Sequence, residues 1–368
     1  MCGIAGFLVD PGRAPALARV AHDVAAVLHH RGPDAWGAHH VDGYGCVHTR
    51  LSIVDLSPAG NQPYVDDGHV LAFNGEIYNH LALRAALPDR GASCRGSSDT
   101  ATLFALLKRD GVEATLPRLR GMFAFAWYDV AARTLWLCRD RFGIKPLVYA
   151  PVHDGLLFAS EKRALRPWMP LEIDPIQALF ALVGAADRSW SRTAFRGVQQ
   201  VPPGHLLRVE AGRPAELRPW FRLTQLVDPV RHAELDRMPR EAVVQEFGRL
   251  FRESTSSMLM GDAPMGAFVS GGIDSGLAAT IASRALADFT LFTADVVGPC
   301  SELAGATALA RCLERPLVPV AFRPAQLLDD WARVTAHYEL PVISHVNALP
   351  FAAVARAARA ASVKAILS

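Results

Sequence analysis

Short apolar runs broken by turn residues dominate the first half of the chain, at 4–9, 45–48, 70–73, 122–128, 134–138 and 156–159. Runs of that length, bounded by Gly, Pro and Asp, read as β-strands. Two stretches have helical spacing instead. Leu17, Val20, Val24 and Leu28 recur every three or four residues and predict a helix over 14–29, and a second is predicted over 99–108. Many strands, few helices and no strict strand–helix alternation predict stacked sheets covered by helices.

The texture changes near residue 212. The segment 212–240 is rich in Pro, Arg and Asp, shows no clean period and reads as a linker. Strands and helices alternate after it. A helix over 241–259 puts Val243, Phe247, Leu250 and Phe251 on one face, and a strand follows at 265–269. Next come a helix at 275–287, a strand at 290–294, a helix at 302–313 and a strand at 317–321. Helices near 324–336 and 349–361 and a short strand at 363–367 complete the series. This rhythm predicts a parallel α/β sheet.

Composition narrows the function classes. Of 368 residues, 38 are basic and 36 acidic, for a net charge of +2. That balance gives no electrostatic case for nucleic acid or a membrane surface. The longest apolar stretch, 178–186, falls far short of the roughly 18 residues a membrane span needs. No signal-peptide pattern opens the chain, so a cytoplasmic protein is expected. The six cysteines form no CxxC pair. Cys46, Cys94, Cys138, Cys300 and Cys312 read as small buried hydrophobes, whereas Cys2 stands at the start of the chain.

Loss of Met1 would leave Cys2 with a free α-amine beside its thiol. An α-amine with a pKa near ~8 serves as a base at neutral pH, so such a thiol carries its own base. Gly3 would let the backbone turn tightly and admit a substrate. The adjacent pairs His29/His30 and His39/His40 lack the carboxylate–histidine pattern of a metal site.

Several further motifs accompany Cys2 in a fixed order. They are His30-Arg31-Gly32-Pro33-Asp34, Arg50-Leu51-Ser52-Ile53-Val54-Asp55, Gly60-Asn61-Gln62-Pro63 and Phe73-Asn74-Gly75-Glu76-Ile77-Tyr78-Asn79. Ser98-Asp99-Thr100, Arg120 to Phe125, Asp140 to Leu147, Phe158 to Glu161 and Pro202 to His205 follow. At these residues the chain resembles the glutamine-hydrolysing asparagine synthetases of the class II glutamine amidotransferase family, over essentially its whole length. The resemblance implies an α+β N-terminal-nucleophile (αββα sandwich) glutaminase domain over 2–211 with Cys2 as nucleophile. The Asn74 side chain and Gly75 N–H would form the oxyanion hole. The glutamine site would be lined by Arg50, Leu51, Ser52, Ile53, Val54, Asn74, Gly75, Glu76 and Asp99. Arg50 would pair with the α-carboxylate, and Glu76 and Asp99 would hold the α-ammonium. The family usually has Glu where Ala101 stands, which reads as a packing change. Arg139 to Pro146 reads as architectural.

Ser270-Gly271-Gly272-Ile273-Asp274-Ser275 lies between a predicted strand and a predicted helix. It is similar to the SGGxDS pyrophosphate loop of ATP pyrophosphatases of the asparagine synthetase type. Two glycines expose backbone N–H groups to phosphate oxygens, and a helix N-terminus adds favourable polarity. The resemblance implies ATP binding by Val269, Ser270, Gly271, Gly272, Asp274, Ser275 and Ala294, with Asp274 helping to hold Mg²⁺. Gly276 replaces the more usual Ser, without consequence for phosphates. In the family, the strand at 363–367 leads to a Gly-rich acidic loop and, later, a catalytic Lys. Neither lies within these 368 residues. The expectation is therefore a partial α/β parallel-sheet ATP pyrophosphatase domain over 241–368, with exposed apolar surface, beside a complete glutaminase half.

The family reaction takes glutamine, ATP and aspartate to asparagine, glutamate, AMP and pyrophosphate through β-aspartyl-AMP. The expected partners are those small molecules and, by analogy, a second copy of the chain in a homodimer. Phosphoribosyl or glucosamine-phosphate amidotransferases are rivals that the loop at 270–275 argues against. Two more rivals are an enzyme that amidates a different carboxylate and a glutamine- or nucleotide-binding remnant without synthesis.

Overall fold

A computed structural model describes all residues except 184–190, 212, 297–300, 324, 326 and 340–346. Cys300, the end of the 178–186 stretch and the start of the helix expected near 324 lie outside the described residues. The chain divides into two units, 1–227 and 228–368.

The first unit contains β1 (Gly3–Val9), β2 (Ala35–Val41), β3 (Tyr44–Arg50), β4 (Tyr64–Asp66), β5 (His69–Ile77) and β6 (Gly121–Asp129). It continues with β7 (Thr134–Arg139), β8 (Val148–Val152), β9 (Gly155–Ala159), β10 (Gln199–Gln200), β11 (His205–Glu210) and β12 (Glu216–Pro219). Its helices are α1 (Ala14–Ala18), α2 (Ala21–Leu28), α3 (His80–Ala85), α4 (Asp99–Thr115) and α5 (Pro175–Leu182). The strands form two six-stranded antiparallel sheets, ordered β10-β8-β9-β1-β3-β2 and β12-β11-β7-β6-β5-β4.

Strand periodicity sorts the core into layers. In β1, Ile4 and Leu8 enter the layer between the sheets, while Ala5, Phe7 and Val9 pack with Val24 and Leu28 of α2. In β6, Ala124, Ala126 and Tyr128 face between the sheets. Phe123, Phe125 and Trp127 turn the other way, onto Leu103 and Leu107 of α4. Helix, sheet, sheet and helix thus stack in that order, as the αββα expectation had it.

Three local readings change. The helix expected over 14–29 is two helices. The Leu17 carbonyl, which a continuous helix would give to Ala21, instead accepts a bond from Trp168 Nε1 at 3.0 Å. The second helix runs past 108 but breaks at Gly111, whose φ is +78°. The 212–240 segment is structured rather than a plain connection. Its β12 pairs with β11, and it adds α6 (Pro229–Arg237), which opens the second unit.

The second unit continues with α7 (Arg240–Met258), β13 (Met265–Phe268), α8 (Ile273–Ala285), β14 (Phe289–Val296), α9 (Leu303–Leu313) and β15 (Leu317–Phe322). It closes with α10 (Leu327–Tyr338), α11 (Ala348–Ala360) and β16 (Ala365–Leu367). The sheet is parallel, ordered β15-β14-β13-β16. Ala279 and Ala282 of α8 and Ala306 and Ala310 of α9 pack on one face with Ala267 and Leu291. Val354 and Ala358 of α11 cover Phe292 on the other. The strand order reverses between β13 and β16, which makes the carboxyl end of β13 the topological switch point, the place where open α/β sheets bind ligands. Val244, Phe247 and Leu250 of α7 remain exposed. Among the described residues no helix is long and apolar enough to cross a membrane.

Phe125 is fully buried between the second sheet and α4. Phe125→Ala is expected to cost the first unit about 3–5 kcal/mol, measured by urea denaturation followed in the far-UV.

Candidate functional site

The candidate site begins where one strand loses its neighbour. β4 pairs with β5 from Asp66↔His69 to Tyr64↔Leu71 and then stops, while β5 continues to Ile77. The edge groups beyond Leu71 need other partners. Phe73 N–H donates to Gln62 Oε1 at 2.8 Å, and the Phe73 carbonyl lies 3.1 Å from His48 Nε2. Ile77 N–H donates to Asp99 Oδ2 at 2.8 Å. Between them lies Gly75, opposite Phe123 of β6. Phe123 N–H donates to Asp140 Oδ2 and the Phe123 carbonyl accepts from Asp140 N–H, so Phe123 turns away from β5. Its partner Gly75 is therefore in a non-hydrogen-bonded pair and points its N–H to the open edge. A Cβ at Gly75 would collide with Met122 O and the Phe123 backbone.

Even-numbered side chains of β5 face the other sheet. Val70 and Ala72 belong to the apolar layer there, and Asn74 and Glu76 continue that face. Asn74 is fully buried, yet neither its Nδ2 nor its Oδ1 has a partner. An unsatisfied buried amide costs about 1–3 kcal/mol and calls for an explanation.

Cys2 immediately precedes β1. Its Sγ accepts from Leu51 N–H at 3.4 Å, and its carbonyl accepts from Arg31 Nε at 2.9 Å. Arg31 is held by Glu161 Oε1 at 2.8 Å, and His30 and Arg163 bond the same carboxylate. Burial opposes ionisation of Glu161, but those three partners outweigh it and hold the carboxyl well below its usual range. Gly3 is extended rather than turned. A Cβ there would approach Thr49 Oγ1 to 2.7 Å, so close packing against β3, not a tight turn, requires the glycine.

A single cleft gathers Cys2, Arg50, Leu51, Ile53, Val54, Gly75, Glu76 and Asp99. Ser52 is not among its lining residues; it is buried, and its N–H donates to Asp34 Oδ2. Arg50 Nη1 donates to Ser57 O and Asn61 Oδ1, both at 2.8 Å, and Nη2 donates to Asp55 O. These bonds aim the guanidinium, and Gly60 makes room for it, since a Cβ there would fall on Arg50 Nη2. Asp99 opens α4 behind the N-cap Ser98. Burial pushes its carboxyl up to about 6. Burial and then the Asp99 charge push Glu76 well above the usual carboxylate range. Two strained carboxylates side by side make a place for a cation.

The sequence reading missed three contributors. Gln62 and His48 hold β5 through its backbone; Gln62 stands inside one of the motifs but is given no role there, and His48 is a buried polar residue that no motif or spacing rule marks. Lys145, read as architectural, is buried, and its ammonium feels the Glu76 and Cys2 charges. Burial lowers its pKa against their attraction. Its backbone is held in the expected architectural way, with Asp140 Oδ2 accepting Lys145 N–H and Arg139 Nε donating to Lys145 O. Burial also lowers the amine of Met1 to about 6 and raises the Cys2 thiol.

In the second unit the loop Ser270–Ser275 leaves the carboxyl end of β13 and opens α8. Val269 is buried, and its N–H donates to Phe292 O at 2.9 Å. Ala294 lies near the carboxyl end of the adjacent β14, opposite Val320. Ser270 Oγ and Ser275 Oγ are 3.3 Å apart, and Gly272 N–H donates to Ser270 Oγ at 3.2 Å. Gly271 has φ +79°, and a Cβ there would lie 2.6 Å from the Gly305 backbone in α9. Asp274 is exposed in the first turn of α8. Among the described residues no cluster of three His, Cys, Asp or Glu could hold a metal ion.

Residues 1–221 match the family model described as glutamine amidotransferase domain, and 246–368 match that described as asparagine synthase. The chain belongs to the glutamine amidotransferase family. Amidase chyE from Penicillium rubens is 36% identical over 290 residues, covering 75% of this chain and 41% of its own. Glutamine-hydrolysing asparagine synthetase 1 from Bacillus subtilis is 30% identical over 334 residues, covering 90% of this chain and 51% of its own. Asparagine synthetase B from Escherichia coli is 34% identical over 289 residues, covering 77% and 45%. The chain spans about half the length of the curated relatives it matches.

Two glycines of the loop region should behave oppositely. Gly271→Ala meets both the positive φ and the Gly305 backbone and should cost the second unit about 2 kcal/mol or more. Gly276→Ser has its nearest neighbour, Leu309, at 3.8 Å and should change stability by less than about 0.5 kcal/mol. Thermal unfolding of the two variants checks both.

Proposed function

We propose that the first unit hydrolyses the side-chain amide of glutamine and that its ammonia is destined for a carboxylate activated by ATP at the second. The observation that carries this reading is Asn74, a fully buried amide without a partner, next to the outward N–H of Gly75. Such donors are idle in the free protein and useful when an oxyanion forms beside them.

In the proposed mechanism, removal of Met1 gives Cys2 a free α-amine. That amine takes the thiol proton as Sγ attacks the glutamine amide carbon. The carbonyl oxygen gains the negative charge and is held by Asn74 Nδ2 and Gly75 N–H. The oxyanion collapses, the C–N bond breaks, and the amine returns its proton to the leaving nitrogen as ammonia. Water then hydrolyses the thioester to glutamate and regenerates the thiol. Arg50 pairs with the substrate α-carboxylate, Glu76 and Asp99 hold its α-ammonium, and Leu51, Ile53 and Val54 line the site, with Ser52 behind them anchoring the segment through Asp34. In the second unit Ser270, Gly271, Gly272 and Ser275 cradle the pyrophosphate of ATP, with Val269 and Ala294 beneath the adenine. The hydroxyl pair and the helix N-terminus fit that anion. Asp274 would hold Mg²⁺ jointly with the phosphates, and the ion supplies charge neutralisation there. The acceptor on this reading is aspartate, and a cytoplasmic homodimer belongs to the same proposal.

A second reading rests on the relative named as an amidase, which is 36% identical: ammonia would be delivered to another carboxylate. Pyrophosphate release from ATP that depends on aspartate favours the first reading, and release that depends on a different carboxylate favours the second.

Glutamate release from glutamine tests the first unit. Cys2→Ala should abolish it, and Asn74→Ala should lower kcat by roughly 10²–10³-fold. Intact mass should show loss of Met1 in the active protein. Activity that survives Cys2→Ala sinks the mechanism.

Binding should also depend on pH. The Asp99 carboxyl titrates near about 6 because it is buried, and an ammonium ligand needs it ionised. Glutamine affinity should therefore weaken as pH falls through 6, by up to about tenfold per unit. Titration calorimetry of Cys2→Ala with glutamine measures this. A flat response from pH 5 to 7 would remove Asp99 from the ammonium site.

A further inference from the structure

His48 has no part in the chemistry above, yet it touches the backbone from which the oxyanion donors project. It stands opposite Ile4 in β3, so its ring enters the layer between the sheets. The residue is fully buried, Nε2 lies 3.1 Å from the Phe73 carbonyl, and Nδ1 has no partner. A carbonyl only accepts, so the ring proton sits on Nε2. Burial holds the pKa down to about 3, which leaves the ring neutral and far too weak a base for neutral-pH proton transfer. Its contribution must therefore be geometric.

The Phe73 carbonyl belongs to the peptide that leads into Asn74. On the other side of Phe73, its N–H is held by Gln62 Oε1. Because β4 has ended, no strand partner exists for either group. We infer that His48 is a positioning residue of the oxyanion site: its Nε2–H grips the Phe73 carbonyl and fixes the peptide that leads into Asn74, and with it the stretch of β5 that carries the Asn74 side chain and, one peptide further on, the Gly75 N–H. The inference rests on the reading of those two groups as oxyanion donors. With Gln62 before it and Asp99 at Ile77 after it, His48 replaces the missing strand by side chains and leaves the Gly75 N–H as the open edge donor.

The test compares wild type with His48→Leu, His48→Gln and His48→Asn. Gln extends far enough to return an N–H to the Phe73 carbonyl, and Asn is too short. Three quantities are read: kcat for glutamate release, affinity for glutamate, and affinity for glutamate γ-semialdehyde. Addition of Cys2 to that aldehyde forms an S–C bond, sends the thiol proton to the adjacent amine and places an oxyanion in the proposed site. His48→Leu and His48→Asn should lose kcat and aldehyde affinity together, by about 10- to 100-fold. Glutamate affinity should stay within about twofold of wild type, because a ground-state ligand does not use the donors. His48→Gln should recover most of both losses. Should His48→Leu not fold, the Gln and Asn pair decides alone. Equal kcat in that pair, or a loss of glutamate affinity as large as the loss of aldehyde affinity, overturns the inference while glutamine hydrolysis stands. A folded wild type that neither hydrolyses glutamine nor binds the aldehyde removes the glutaminase reading itself, and this inference with it.

Discussion

A strand that outruns its neighbour must find other partners for its edge groups, and the first unit is organised around one such place. β4 stops opposite Leu71, and β5 runs six residues further. Side chains from three separate segments take over: Gln62 and His48 at Phe73, and Asp99 at Ile77. Gly75 falls between them with its N–H turned outward. The pleat does the rest, since the same alternation that sends Val70 and Ala72 into the inter-sheet layer sends Asn74 and Glu76 there too. One face of one strand is therefore apolar where it supports the sandwich and polar where it meets Cys2.

Charge in that confined space is balanced without being quenched. Glu76 and Asp99 resist ionisation because they are buried, and Glu76 also because Asp99 lies near it. The Lys145 ammonium and the N-terminal amine offset part of that cost. Arg31 and Arg50 contribute differently. Arg31 is committed to Glu161 and the Cys2 carbonyl and holds the start of the chain in place. Arg50 makes its bonds to neighbouring loop acceptors, Ser57, Asn61 and Asp55, which orient the guanidinium at the wall of the cleft.

The second unit solves a different problem with simpler means. Its central strand, β13, hands the chain to a loop at the point where strand order reverses. Gly271 lets that loop press against the start of α9, and two hydroxyls brace it from within. The result is a helix N-terminus with open backbone donors at the end of the sheet.

Much of this was legible in the sequence. Periodicity marked the apolar strands β1, β5, β6, β7 and β9 and nearly every element of the second unit, because buried faces leave a pattern of period two or 3.6. It missed β2 and β12, edge strands whose side chains are half-buried or exposed and carry no apolar signal, the short β4 and β10, and also the largely buried β8 and β11, where Pro151 and Arg208 interrupt the apolar run. The break between α1 and α2 was also invisible, since it depends on a bond from Trp168, some 151 residues away in sequence. Motifs marked Cys2, Arg50, Asn74, Gly75, Glu76 and Asp99 as one group, and the cleft unites all of these but Asn74, which lies buried on the same strand beside Gly75. What the sequence determined alone is therefore the residue types and the layers they can form, because both follow from local alternation and side-chain chemistry. Only the tertiary structure decided that Gln62 and His48 brace β5, that Gly3 packs rather than turns and that Lys145 is buried beside the site. Those facts come from contacts between segments distant in the chain, and no local pattern encodes which backbone group a buried side chain will meet.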